Sequence, residues 1–237
     1  MGSAMTREQY LSQLFSAYQL VSVLSDKNDC RVLRVRHRQQ ERDIVVHSFP
    51  RSVEVYRLLY KIKCESLPVV YDVIDLSDGQ IVLEEYVDGI TVANVMESGK
   101  YSYLGARRVL QAVCNALMVL HEHNYVHRDI KPENIMIDKR GRVVLIDFNV
   151  SRIVSAVSRD TVVMGTLGYA SPEQMGLSQS DCRTDIYALG VLLNVMLTGK
   201  HPSEVIADGR AGKIIKKCTS INPIDRYQSA QALYSAL

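Results

Sequence analysis

The chain of 237 residues carries almost no net charge. Its 28 Lys and Arg stand against 26 Asp and Glu, a balance of +2. Such a surface has no strong pull on polyanions, which argues against nucleic acid or an anionic membrane as partner. Long apolar runs are missing as well. None approaches the roughly 18–20 residues that span a bilayer, and the N-terminus lacks the charged-then-apolar pattern of a secretory signal. A soluble, cytoplasmic chain without a membrane segment is therefore expected. The five cysteines, Cys30, Cys64, Cys114, Cys182 and Cys218, are odd in number and include no C-x-x-C pair. A disulfide framework or zinc site has nothing to build on, so reduced, mostly buried thiols are expected. What the chain does have is 47% apolar and 23% charged residues, enough for a real core in one large domain or two small lobes. Met1-Gly2-Ser3-Ala4 looks like a cloning scar, with Met5 as a candidate native start.

The pattern changes near Gly89. Before it, short β-branched runs alternate with turn residues; after it, longer apolar-periodic stretches dominate. Tyr10, Leu11, Leu14, Phe15 and Tyr18 lie on one helical face within Thr6 to Tyr18. Strands are predicted over 19–24, 31–36 and 43–47, and a helix over 52–63. A hairpin joins 69–76 to 80–85 across Ser77-Asp78-Gly79. The first part thus reads as a small sheet of about five strands with one helix inserted. In the second part 101–124 reads as a long helix. Residues 135–137 and 143–146 read as short strands joined by a turn. The stretch 185–198 is apolar on all sides and predicts a buried helix, with Asp185 able to cap its start and Gly199 its end. Two short helices are expected over 214–237, separated by Asn222-Pro223.

The chemistry concentrates in His127-Arg-Asp-Ile-Lys-Pro-Glu-Asn134, followed later by Asp147-Phe-Asn149. Asp129 can take a proton from a hydroxyl nucleophile. Lys131 can neutralise charge on a phosphoryl group in flight. Asn134 and Asp147 offer oxygens to a hard cation such as Mg²⁺. Phosphoryl transfer needs mostly positioning and charge stabilisation, and this set supplies both.

These stretches resemble the catalytic loop and metal-binding motif of protein kinases. Gly165 to Glu173 is similar to the end of a kinase activation segment, with Ser171 where the family has Ala. Asp185 to Gly190 resembles the buried helix whose Asp holds the catalytic-loop backbone, and Pro223 to Arg226 the late motif whose Arg pairs with Glu173. The wording of 165–173 and 183–199 is most similar to bacterial Ser/Thr kinases of the Hanks type. The resemblance covers about 18–237 and is strongest from Glu85 onward. It implies an α+β, two-lobed kinase-like fold. Residues 1–17 would be the scar and an N-terminal helix, 18–87 a β-rich N-lobe, and 88–237 an α-helical C-lobe. It implies ATP and Mg²⁺ as cofactors, with nucleotide between the lobes. Its contacts would fall on Lys27, Arg31, Val32, Val45, His47, Glu85, Val87 and Met136. A protein substrate or regulated partner protein follows, with transfer to a Ser or Thr hydroxyl. Asp129 and Lys131 would be catalytic, and Asn134 and Asp147 would hold metal. Arg128 would gather a phosphorylated Ser155, Ser158 or Thr161. Glu54, Glu173, Asp185 and Arg226 would be structural.

The departures cluster in the nucleotide grip. The stretch 25–32, where the Gly-rich loop belongs, has no glycine, and Asp26 and Asp29 would repel phosphates. His47 stands where the strand lysine is expected. Glu54 is the only acid in the following helix, but Val55 falls in the family's slot, 100° of helix rotation away. Glu84 takes the usually apolar gatekeeper position. Asn149 replaces a glycine, and Asn tolerates left-handed backbone better than most. Two readings stay open: an active kinase whose missing cation comes from Lys27 or Arg31, and a pseudokinase used as a binding or regulatory module. Small-molecule phosphotransferases share the Asp…Asn…Asp logic but lack the 165–173 segment and Arg226. The remaining histidines, His37, His121, His123 and His201, read as surface or packing residues, and the basic run Arg34 to Arg38 as a solvated strand face.

Overall fold

The computed structural model describes residues 5–27, 29–154, 168–175 and 180–237. They divide into two units, one of residues 1–63 and 68–87, the other of 64–67 and 88–237. The architecture is mixed α+β, β-rich in the first unit and helical in the second, as the resemblance implies.

The first unit opens with helix α1, Arg7–Ala17. Thr6 and Gln9 bond each other's backbone N–H groups at its start, a capping box worth about 1 kcal/mol. Strands β1 (Tyr18–Lys27), β2 (Cys30–His37), β3 (Asp43–Phe49), β4 (Val70–Leu76) and β5 (Gly79–Glu85) form one antiparallel sheet in the order β1-β2-β3-β5-β4. Their period of two sorts the side chains. Leu33, Val35, Ile44, Val46 and Ile81 line one face, and α1 buries Leu11 and Leu14 against it. Each such burial is worth about 1.5–3 kcal/mol. Arg7 of α1 also ties two turns together. Its guanidinium donates to the carboxylate (2.7 Å) and carbonyl (3.1 Å) of Asp29, and its backbone N–H donates to Asp78 Oδ1 (2.8 Å). The basic run is less solvated than the sequence suggests, because Arg34 and Arg36 both bond the half-buried Asp43.

The helix predicted over 52–63 shrinks to α2, Val55–Leu59. Ahead of it the Val53 N–H donates to the Gln80 side chain (3.0 Å), and Tyr56 closes only a three-residue turn back to the Val53 carbonyl (3.1 Å). At the far end Lys61 bonds back to Leu58, a three-residue closure that winds the helix up.

In the second unit the order is β6 (Gly89–Thr91), α3 (Val92–Glu97), α4 (Tyr103–Glu122), β7 (Tyr125–Val126), β8 (Ile135–Asp138), β9 (Val143–Leu145), β10 (Arg152–Ile153), α5 (Cys182–Thr198), α6 (Gly209–Cys218) and α7 (Ala230–Ala236). Helices α4 and α5 carry the core. α5 is buried on nearly every side, as its sequence predicts, and Gly199 ends it at φ +74°. Its cap is Asp181, which accepts the Arg183 N–H at 2.8 Å, and not Asp185. Asp185 lies inside the first turn and is free for another task. Of the five cysteines, only Cys114 and Cys218 are buried, and burial pushes the Cys114 thiol up to about 12. No helix among the described residues is long and apolar enough to cross a membrane.

Candidate active site

The segment 127–134 leaves β7 and enters β8 through a single 3₁₀ turn, Pro132–Asn134. Asp185, fully buried in α5, fixes the start of this segment. Its Oδ2 accepts the His127 N–H (3.0 Å) and its Oδ1 the Arg128 N–H (2.9 Å). His121 Nε2, 2.8 Å from Oδ2, completes the shell. Burial alone would push this carboxyl up. The bond and charge of His121, with the backbone bonds, outweigh it and hold Asp185 below the usual carboxylate range. The sequence places His121 among surface or packing residues; the signal for its role is the buried acid waiting for a partner.

Arg128 is buried with φ +72°, a left-handed conformation that costs a bulky residue on the order of 1–3 kcal/mol. The Asp185 bond to its amide helps hold it there. The His127 ring is buried and meets Phe148 edge-on at 5.1 Å. Its two partners fix its tautomer. The Ile146 carbonyl can only accept, so Nε2 carries the proton, while Nδ1 accepts the Asp129 N–H (3.3 Å). Burial lowers the His127 pKa despite three nearby aspartates, so the ring stays neutral.

Asp129 is then presented with its Oδ2 accepting Lys131 Nζ (2.7 Å) and Asn134 Nδ2 (2.9 Å). The Asn134 amide nitrogen also donates to the Asp129 carbonyl (2.9 Å). These bonds spend the nitrogen and leave the amide oxygen, a hard donor, for other use. Asp147 is brought to the same place by the backbone, since Ile146 donates to the Asn134 carbonyl at 2.9 Å. Among the described residues no three His, Cys, Asp or Glu converge into a protein cage for a metal. Mg²⁺ is usually held by one or two carboxylates together with phosphates and water, and the Asp147 carboxylate with the Asn134 oxygen is a donor set of that kind. The left-handed residue of the Asp-Phe-Asn turn is Asp147 itself (φ +66°), so Asn149 is not needed in that role.

Glu173 and Arg226, 53 residues apart, form a buried bidentate pair at 2.6 and 2.9 Å. Burial raises the Glu173 pKa, but the Arg226 bonds outweigh it and leave the group below its ordinary value.

The first unit places its candidates differently. His47 and Glu84 stand diagonally across β3 and β5 on one sheet face, and His47 Nε2 lies 3.2 Å from Glu84 Oε1. Both are about 95% buried, at 5% and 4% exposure. His47 stacks on Phe49 and tilts against Tyr56. His47 Nδ1 and Glu84 Oε2 find no hydrogen-bond partner among the described residues. Glu54, expected beside the strand lysine position, is instead 54% exposed in its side chain and paired with Arg57 at 3.2 Å. Val55 and Tyr56 take the inward positions. The acid facing residue 47 therefore comes from the neighbouring strand, not from the helix.

Arg31 is occupied by Glu8 (2.8 Å) and Asp26 (3.8 Å). Lys27 lies exposed at the end of β1, across from Cys30. Val32 pairs with His47 between β2 and β3, and Val45 and Val87 are buried. Glu85 accepts the Val69 N–H at 3.1 Å. Met136 sits in the second unit, between Thr91 and Val144. Ser155, Ser158 and Thr161 lie outside the described residues.

The protein kinase domain profile matches residues 32–235. The serine/threonine-protein kinase PknB of Mycolicibacterium smegmatis is 37% identical over 126 residues, 51% of this chain and 20% of that protein. A probable PknB of Corynebacterium glutamicum is 39% identical over 128 residues, 52% of this chain and 20% of that protein. A probable serine/threonine-protein kinase of Clostridium perfringens is 28% identical over 261 aligned positions, 94% of this chain and 38% of that protein. The chain spans about a fifth to two fifths of the length of these curated relatives. A match running through the catalytic loop, the Asp147 turn and the Glu173–Arg226 pair alike is a match to the whole design, and this chain belongs to the protein kinase domain family, among relatives of the bacterial serine/threonine type.

Proposed function

We propose that the chain is a Ser/Thr protein kinase domain that moves the γ-phosphoryl group of ATP to a Ser or Thr hydroxyl of a protein substrate, slowly. The observation that carries this reading is the ordered Asp129 carboxylate, held by Lys131 and Asn134 on a segment bolted to Asp185. Asp129 orients the hydroxyl and takes its proton as the oxygen bonds to phosphorus and the β–γ bridging bond breaks, releasing ADP. Lys131 offsets the negative charge on the group in transfer. Asn134 and Asp147 would hold Mg²⁺, which when bound neutralises phosphate charge.

The slow rate follows from the nucleotide grip. Glycine is absent between Ser25 and Val32, and residue 47 is committed to Glu84. Removing one preorganised donor costs about 10²–10³ in rate. The same buried pair favours the second reading, a pseudokinase that uses the fold to bind a partner. Labelled ATP with a generic basic protein substrate tests the choice. Transfer that Asp129→Asn and Asp147→Ala both abolish is expected. Absence of transfer, with no effect of Mg²⁺–ATP on melting, would establish the pseudokinase.

A further inference from the structure

The peptide unit between Arg128 and Asp129 is gripped from outside the catalytic loop, and the grip comes from a residue given no role so far. Gln174, fully buried, donates from Nε2 to the Arg128 carbonyl at 2.8 Å. Its Oε1 accepts the backbone N–H of the equally buried Ser171 (3.0 Å) and that residue's hydroxyl (3.3 Å). The opposite edge of the same peptide unit, the Asp129 N–H, donates to His127 Nδ1. One residue earlier the Arg128 N–H donates to Asp185. The left-handed Arg128 is thus held on both sides, by Asp185 at its amide and by Gln174 at its carbonyl. The plane of the 128–129 peptide fixes the direction in which the Asp129 Cα projects its side chain. A carbonyl left without its donor would be free to rotate that plane, and the left-handed strain at Arg128 favours such a rotation.

We propose that Gln174 is a positioning residue for phosphoryl transfer: it locks the Arg128–Asp129 peptide so that the Asp129 carboxylate meets the substrate hydroxyl, with Ser171 setting the orientation of the Gln174 amide. This rests on the kinase reading above for its catalytic consequence, but the locked peptide can be tested without activity. Ser171 adds only orientation, since its backbone N–H makes the shorter bond whatever its side chain is.

The test uses the full chain, Mg²⁺–ATP and a basic protein substrate. Gln174→Met keeps the length and removes the donor. It is expected to lower kcat per folded molecule by about 10²-fold, the cost of roughly 1 Å of misplacement, with KM for ATP little changed. Amide hydrogen exchange at 127–131 should rise more than elsewhere in the second unit. Ser171→Ala should lower kcat far less. Gln174→Asn, one methylene too short to reach both groups, gives the same split if the methionine variant does not fold. A purely structural Gln174 would lower the melting temperature while leaving kcat per folded molecule and the local exchange pattern intact, and that result overturns the proposal. If the wild-type chain transfers no phosphate, the kinase reading falls by that result, and exchange at 127–131 still decides whether Gln174 locks the peptide.

Discussion

Replacing Arg226 by alanine should destabilise the second unit severely. The guanidinium is 1% exposed and uses every donor it has. Two N–H groups go to Glu173, one to Ser220 O (2.8 Å), one to Arg183 O (3.0 Å) and one to Ile221 O (3.1 Å). It also lies 4.9 Å from the centre of the Tyr187 ring. In Arg226→Ala the Glu173 carboxylate stays buried with Thr184 as its one side-chain donor among the described residues (3.0 Å). Removing one member of a buried pair typically costs about 3–5 kcal/mol. Against a total stability of about 5–15 kcal/mol that is a large fraction. At about 2–4 °C per kcal/mol for a chain of this size, melting should fall by roughly 6–20 °C. Thermal and urea melts of Arg226→Ala, Glu173→Gln and the double variant form a cycle. The double variant should lose clearly less than the sum of the singles, because the second change removes the charge that the first left stranded. Arg226→Lys should recover only part of the loss, since an ammonium cannot fill a planar five-donor site. Melting of Arg226→Ala within about 2 °C of wild type, or simple additivity in the cycle, would refute the argument.

Other outcomes follow from the same structure. His47→Lys alone should raise Mg²⁺–ATP affinity little, because Glu84 would capture the new ammonium; His47→Lys with Glu84→Met should raise it clearly, and equal gains in titration calorimetry would show the capture argument wrong. The carboxyls of Glu173 and Asp185 sit below their ordinary values in the folded chain. Their stabilisation is therefore complete above the ordinary carboxylate range and is lost as pH falls through the lowered folded values. Denaturant midpoints should drop on that acid limb, and Asp185→Asn, already weakened at neutral pH, should show a shallower acid loss than wild type. Arg7→Ala should cut the tie between the Asp29 and Asp78 turns, seen as faster amide exchange across β1–β2 while the α5 core stays protected; unchanged exchange there would mean the tie has no mechanical effect.

The second unit was the more legible one, and the reason is locality. His127 to Asn134 declare their chemistry in eight consecutive residues, and the turn, the neutral His127 and the Asp185 bonds serve that one segment. The Glu173–Arg226 pair could be expected only through family likeness, since nothing in either local sequence names a partner 53 residues away. In the first unit the decisive fact is strand register. Whether Glu84 faces residue 47 depends on β3 pairing Val45 with Glu84, and a slip of one residue would turn the carboxylate to the other face. The acid at an apolar position was visible; its partner was not. The helix over 52–63 comes out shorter because apolar periodicity does not mark where three-residue turns, Tyr56 back to Val53 and Lys61 back to Leu58, replace the helical ladder at its ends. Local sequence offers Asp185 as a helix cap, a role that Asp181 takes; that it holds the catalytic-loop backbone could be expected only through the family likeness. Gln174 carries no sequence signal at all beyond being a polar residue in a segment that turns out buried.

The family match begins at residue 32, two residues into β2. A protein trimmed to that boundary would keep every residue of the catalytic loop, yet it would lose α1 and β1 together. The apolar face of Leu33, Val35, Ile44, Val46 and Ile81 would lose its helical cover, and β2 would become a bare edge. Such an edge beside an uncovered apolar face invites strand pairing between molecules. For this chain the start of the family match and the start of a fully covered sheet are different places, and shortened versions that begin at the former should come out of expression as aggregates.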